Sequence, residues 1–194
     1  MALPSLPEGC NPVVMRLDLR IGALLLLAGG VMEAARLIIL SGFESVALPA
    51  PATIAMNVIP SAIIGGGLVA TGLSFSGRGR VALIVAGLLQ LGVVVVNTVQ
   101  IATNSPLGPG PSELAYLVSI AAVVVAAVLL LSDRTLQGSG RWAIAIPAGC
   151  IVLFIVSLFT LPVTWFALLP GIGFAIAGVL LIRPGNTAAA IAVD

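Results

Sequence analysis

The stretch LLLLAGGVMEAARLIIL, residues 24–40, decides the fold class and raises the question of function. An apolar run of this length is typical of a helix that crosses a membrane. It nevertheless contains Glu33 and Arg36. One isolated charge near the middle of a membrane helix costs about 2.5–3.5 kcal/mol on insertion scales. The two charges therefore require a structural or a functional reason.

The composition of the whole chain agrees with a membrane protein. Of the 194 residues, 60% are hydrophobic and 8% are charged, and the mean hydropathy is +1.24. Soluble domains carry roughly 25% charged residues. The net charge of +1 gives no basis for binding nucleic acid, so membrane lipids are the expected partners.

Six apolar segments follow one another, each close to the roughly 20 residues that cross a bilayer as a helix. An open strand in lipid would leave its amides unpaired, so each segment is expected to be helical. The sequence predicts an all-α polytopic bundle of six transmembrane helices in three hairpins over 21–183, with tails at 1–20 and 184–194. The segments are 21–43, 52–75, 81–103, 113–131, 142–160 and 164–182.

Arginine positions predict the orientation. Seven arginines flank the segments on a single side of a six-helix topology, and the positive-inside rule places that side, with both termini, in the cytoplasm. All eight basic residues are arginine, a bias that we interpret as bacterial, so the inner (plasma) membrane is the expected location. The even spacing leaves open whether the hairpins are a true repeat. The flanking residues are Arg16, Arg20, Arg78, Arg80, Arg134, Arg141 and Arg183.

The strongly polar residues of the segments are expected at one depth, in the outer half of the bilayer. Glu33 and Arg36 lie three residues apart on one helix face, close enough to pair. The same spacing argument joins Gln90, Asn97 and Gln100 in one stripe on the third segment. The cluster could fasten helices together or form a ligand site, and both interpretations stay open. Its predicted members are Glu33, Arg36, Asn57, Gln90, Asn97, Gln100 and Tyr116.

Small residues and prolines predict where the helices touch and bend. On the second segment, Ala62, Gly66 and Ala70 recur every four residues and are expected to face a neighbouring helix. The pairs Gly171 with Ala175 and Gly173 with Ala177 have the same spacing on the sixth segment. Prolines 60, 147 and 170 are expected to kink helices or to mark their starts. The stretch NSPLGPGPS, residues 104–112, is expected to be non-helical.

Catalysis is the least favoured function. The chain has no histidine and no lysine, so the usual general bases are missing, and Cys10 and Cys150 form no metal-binding motif. We expect no enzyme activity, cofactor or metal. The short loops favour an accessory or scaffold subunit with protein partners in a larger membrane complex. The alternative is a small-molecule or lipid binding or transport protein that uses a cavity at Glu33 and Arg36.

Overall fold

The computed structural model describes residues 12–42, 50–75, 77–102, 110–132, 140–160 and 164–182. These residues form helices and contain no strand, which confirms the predicted all-α class. The elements are α1 (Pro12–Gly42), α2 (Ala50–Leu73), α3 (Gly77–Ala102), α4 (Gly110–Ser132), α5 (Gly140–Thr160), a 3-10 helix (Thr164–Leu168) and α6 (Leu169–Ile182).

The helices have the length and apolarity of membrane spans. Among the described residues, five spans are long enough to cross a bilayer, and α5 contributes a shorter apolar stretch, Trp142–Ser157. Large apolar side chains such as Leu24, Val95 and Leu117 lie exposed on the outer surface of the bundle, where lipid would cover them. The chain is a multi-pass helical membrane protein. The five longer spans are Asp18–Ile39, Ala55–Leu73, Gly77–Gln100, Leu114–Ser132 and Trp165–Ile182.

The six helices form a closed ring. Each helix packs against its neighbours in sequence, and α6 packs back against α1. Arg20, Arg78 and Arg80 lie where α1 begins its span and α3 starts, and we call this side of the ring the arginine end. A cluster that we call the inner seal takes one buried apolar residue from each helix. Its members are Leu26, Leu68, Leu83, Leu130, Ile144 and Leu181.

Glycines let α6 close the ring against α1. A Cβ atom at Gly30 would collide with the backbone nitrogen of Ala175 on α6. A Cβ atom at Gly178 would lie 2.5 Å from the carbonyl oxygen of Ala23. The backbones of the two helices are therefore in direct contact. The predicted packing role of Gly171 is confirmed, because a Cβ atom there would lie 2.8 Å from the backbone nitrogen of Ala34.

The second helix packs through different glycines from those predicted. A Cβ atom at Gly67 would lie 3.0 Å from Leu26 on α1, and one at Gly65 would lie 3.0 Å from the carbonyl oxygen of Gly87 on α3. At Gly66 the first neighbour would be Leu25 Cδ1, at the ordinary distance of 3.9 Å. Gly66 therefore faces the neighbouring helix α1, but the close backbone approach expected there occurs at Gly65 and Gly67 instead. Because consecutive residues point about 100° apart, α2 uses the positions on either side of it to touch both neighbours.

Helices α1 to α5 all begin earlier than the hydropathy pattern predicted, and two of these early starts are informative. Helix α1 begins at Pro12 rather than near residue 21, and α4 begins at Gly110, inside the stretch expected to be non-helical. Proline is tolerated in the first turn of a helix, where its missing N–H would have no partner in any case. The expectation for 110–112 is therefore wrong, whereas residues 104–109 lie outside the part of the chain that the structure describes.

The sixth span starts as a tighter helix. Residues Thr164–Leu168 wind as a 3-10 helix, and α6 follows with Pro170 as its second residue. Because Pro170 has no N–H, the carbonyl four residues earlier lacks its α-helical donor, which favours the tighter winding before it. The prediction that Pro170 marks a helix start is confirmed. Pro60 and Pro147 instead lie inside α2 and α5.

Candidate ligand cavity

An ion pair joins Glu33 to Arg36 and extends to α2. The Nε atom of Arg36 donates to Glu33 Oε2 at 3.1 Å, and its Nη2 atom donates to Glu33 Oε1 at 2.5 Å. The Nη1 atom donates to Asn57 Oδ1 at 2.6 Å. The predicted pairing is confirmed, and the guanidinium group connects α1 to α2. Both charged side chains are largely buried, with 20% of Arg36 and 14% of Glu33 exposed.

The pair lies toward the end of the ring opposite the arginine end. The α1 span runs from Asp18 to Ile39, about 33 Å at ~1.5 Å per residue. Glu33 is 15 residues from its start, which corresponds to about 22 Å. Arg36 lies one turn further, within reach of the interface for a long basic side chain. The carboxylate therefore sits deeper in the membrane than its partner.

A cavity of about 30 Å³ lies inside the ring beside Glu33. Residues from all six helices line it. The polar lining comes from the first four helices, with Glu33 on α1, Ser61 on α2, Gln90 on α3 and Tyr116 on α4. The apolar lining consists of Ile64, Ile120, Val123, Ile151, Pro170 and Phe174.

Three of the four polar lining groups have no partner in the part of the chain that the structure describes. No hydrogen bond joins the side chains of Ser61, Gln90 or Tyr116 to another described residue. By contrast, the buried Ser119 hydroxyl donates to the carbonyl oxygen of Tyr116 at 2.8 Å. The buried Ser157 hydroxyl donates to the carbonyl oxygen of Phe154 at 2.6 Å. The cavity groups are thus available to an occupant.

The inner seal separates the cavity from the arginine end. On five helices, a seal residue lies seven positions from a lining residue, which is two turns or roughly 10 Å. On α2, Leu68 lies four positions from Ile64. These spacings place one buried apolar side chain of each helix between the cavity and the arginine end. The seven-residue pairs are Leu26 and Glu33, Leu83 and Gln90, Leu130 and Val123, Ile144 and Ile151, and Leu181 and Phe174.

The structure brings together only part of the predicted polar cluster. Gln90 and Tyr116 line the cavity with Glu33, and Asn57 holds Arg36 at its edge. Asn97 and Gln100 do not line it, since they lie about 10 and 15 Å further along α3 than Gln90. Their participation in a binding site stays a prediction.

Sequence reasoning missed Ser61 as a cavity residue. A single serine is a weak signal in a membrane helix, because its hydroxyl usually bonds to the backbone of its own helix. The available signal was its position four residues after Asn57, which places both on one face of α2. Spacing from Asn57 therefore pointed to Ser61.

No group of three or more His, Cys, Asp or Glu side chains that would suit a metal ion occurs among the described residues. The chain matches no family model, no curated protein and no solved structure. Function is therefore inferred from the cavity itself.

Proposed function

We propose that this membrane protein binds a small polar molecule in the cavity beside Glu33, as a binding or transport protein. One observation carries the proposal. The side chains of Ser61, Gln90 and Tyr116, from three different helices, face the same cavity without a partner among the described residues.

A fastening role predicts a different arrangement. Polar residues that hold membrane helices together do so by bonding to one another, at an average of about 0.6 kcal/mol per bond. Glu33, Arg36 and Asn57 follow that pattern. A polar group that is buried in an apolar medium without a hydrogen-bond partner destabilises a protein by about 1–3 kcal/mol, as judged from mutations. Ser61 and Gln90 are half-buried and Tyr116 is partly exposed, so they bear only part of that cost, and a polar occupant would offer all three side chains hydrogen bonds.

The inner seal gives the proposed site a direction. Because the apolar layer closes the arginine end, a ligand would reach Glu33 from the opposite end of the ring. The positive-inside rule assigns that end to the outer side of a bacterial inner membrane. Transport would require a second conformation in which Leu26, Leu83 and the other seal residues separate.

The accessory-subunit hypothesis is a second candidate. Exposed apolar residues such as Leu117 and Val152 suit contact with lipid and contact with a partner helix equally well. That hypothesis does not explain why polar groups converge inside the ring.

Native mass spectrometry of the protein purified in mild detergent tests the proposal. We expect a retained small molecule in the wild type that is lost in Gln90→Leu. Asn97→Leu is the matched control, because it makes the same change on the same helix outside the cavity. A stoichiometric protein partner with no small molecule would favour the accessory-subunit hypothesis. A small molecule retained equally by both variants would place the site elsewhere.

A further inference from the structure

We infer that the head group bound in the cavity is a small cation, a protonated amine of a few heavy atoms, which donates hydrogen bonds to Glu33. This inference rests on the proposed function and adds the chemical class of the ligand. It follows from the position of the two charges relative to the cavity, from the hydrogen-bonding character of the lining and from the size of the space.

The two members of the ion pair have different access to the cavity. Glu33 lines it, whereas Arg36 does not. Arg36 is held at the edge by Asn57, through the 2.6 Å bond from its Nη1 atom. A ligand inside the cavity would therefore contact the Glu33 carboxylate, with the Arg36 guanidinium on the far side of that carboxylate.

The carboxylate retains capacity for a second donor. Each of its oxygens accepts one hydrogen bond from Arg36, to Oε1 from Nη2 and to Oε2 from Nε. An ionised carboxylate offers about four acceptor positions in total. An ammonium group could therefore bond to Glu33 while Arg36 stays in place on Asn57, so binding does not require the α1–α2 connection to break.

The remaining polar lining also accepts hydrogen bonds. Ser61, Gln90 and Tyr116 each carry an oxygen that can accept and an O–H or N–H group that can donate, so they suit an ammonium group and carry no charge that would repel it, and the preference for a cation comes from Glu33. The aromatic rings of Tyr116 and Phe174 also line the space, and such rings attract cations. A carboxylate or phosphate ligand would instead meet the negative charge of Glu33 first.

The size of the cavity limits the head group. A water molecule needs a cavity of about 10–15 Å³, and the cavity beside Glu33 measures about 30 Å³. The space therefore matches two or three non-hydrogen atoms. The side chains of Ile64, Ile120 and Ile151 form an apolar part of the lining that suits a short alkyl group. Methylammonium and ethylammonium fit these limits.

Thermal-shift and calorimetric titrations of the purified full chain in detergent test this assignment. The probes are methylammonium and ethylammonium chloride, with sodium chloride at equal ionic strength, ethanol and sodium acetate as comparisons. We expect the alkylammonium ions alone to raise the melting temperature of the wild type. We expect Gln90→Leu to weaken their apparent Kd at least tenfold and Asn97→Leu to leave it unchanged.

A charge variant addresses Glu33 directly. The double variant Glu33→Gln with Arg36→Gln removes both charges together, which avoids leaving one unpaired. It should lose alkylammonium binding while a neutral probe behaves as in the wild type. If the double variant is too unstable to purify, the Gln90→Leu and Asn97→Leu titrations still decide the outcome.

The results separate the two levels of the proposal. Ethanol or acetate binding that depends on Gln90 would overturn the cationic assignment and leave the binding function standing. Alkylammonium binding that is unchanged in Gln90→Leu would place any cation site outside the cavity and also overturn the assignment. If no probe binds and native mass spectrometry finds no retained small molecule, the assignment and the proposed function both fail.

Discussion

Arg36 on α1 donates a 2.6 Å hydrogen bond to Asn57 on α2 while it holds Glu33 with its other nitrogens. This bond ties the two helices together near the end of the ring that the ligand would enter. Toward the arginine end, the same two helices meet through glycine, since a Cβ atom at Gly22 would lie 2.7 Å from the backbone nitrogen of Thr71. One helix pair thus uses backbone contact at one end and a polar connection at the other.

Replacing Asn57 should loosen the polar connection. We expect Asn57→Leu to lower the free energy of unfolding by about 1–3 kcal/mol, because Nη1 of the partly buried Arg36 guanidinium then lacks its acceptor. The matched control is Asn97→Leu on α3, since the Asn97 side chain makes no hydrogen bond to another described residue. Apparent melting temperatures in detergent compare the two variants. Equal losses would mean that the Asn57 contact contributes nothing specific.

Removing one charge of the ion pair should be worse than removing both. Glu33→Gln leaves the Arg36 guanidinium without its counter-charge, whereas Glu33→Gln with Arg36→Gln leaves neither charge in the ring. We expect the single variant to melt roughly 2–8 °C below the double variant, corresponding to about 1–2 kcal/mol. If Arg36 extends into the membrane interface once Glu33 is replaced, the single variant would instead melt at or above the temperature of the double variant.

Ring closure should depend on Gly30. A methyl group there meets the α6 backbone, which has no flexible atom to move aside, so Gly30→Ala should cost about 1–3 kcal/mol. Gly149→Ala on α5 is the control, because a Cβ atom there meets nothing within 4 Å. We expect the control to melt at or slightly above the wild-type temperature, as alanine favours helix. Tolerance of alanine at both positions would contradict the direct contact between α1 and α6.

One buried hydroxyl offers a stabilising change. Thr71 is fully buried, and its Oγ1 atom has no hydrogen-bond partner among the described residues. Thr71→Val keeps the shape and removes the unpaired group, so it should raise stability by about 1–3 kcal/mol. Thr98→Val should not, because the exposed Thr98 hydroxyl already donates to the carbonyl oxygen of Val94 at 2.7 Å. A drop in melting temperature for Thr71→Val would mean that its hydroxyl is satisfied.

The sequence predicted the class of fold because the hydropathy of a membrane span is a property of one segment at a time. It also predicted the Glu33–Arg36 pair, since a three-residue spacing fixes two side chains on one helix face. Both conclusions need no knowledge of how helices are arranged around each other. The boundaries at Pro12 and Gly110 were missed because hydropathy marks the edge of the apolar span and not the end of the helix.

The closed ring and the true contact glycines depend on which faces meet. Gly65, Gly66 and Gly67 are chemically identical in the sequence, yet only the first and third contact neighbouring helices closely. Their directions are decided by the rotation of α2 against α1 and α3, which no local pattern encodes. Ser61 also could not be identified from a local pattern, because its role comes from sharing a cavity with Gln90 and Tyr116 on other helices.

Cysteine accessibility tests whether the polar cavity beside Glu33 opens away from the arginine end. In a chain with Cys10 and Cys150 replaced by serine, Ser61→Cys is compared with Ser119→Cys. Ser61 lines the cavity and is half-buried, whereas Ser119 is fully buried. A charged, membrane-impermeant thiosulfonate reacts with the thiolate, which forms readily only in contact with water.

We expect the reagent, added from the side opposite the arginine end, to modify Ser61→Cys and to spare Ser119→Cys. We also expect ethylammonium to slow the modification of Ser61→Cys. Protection of both cysteines from that side, or modification of Ser61→Cys from the arginine end alone, would contradict the cavity and its direction.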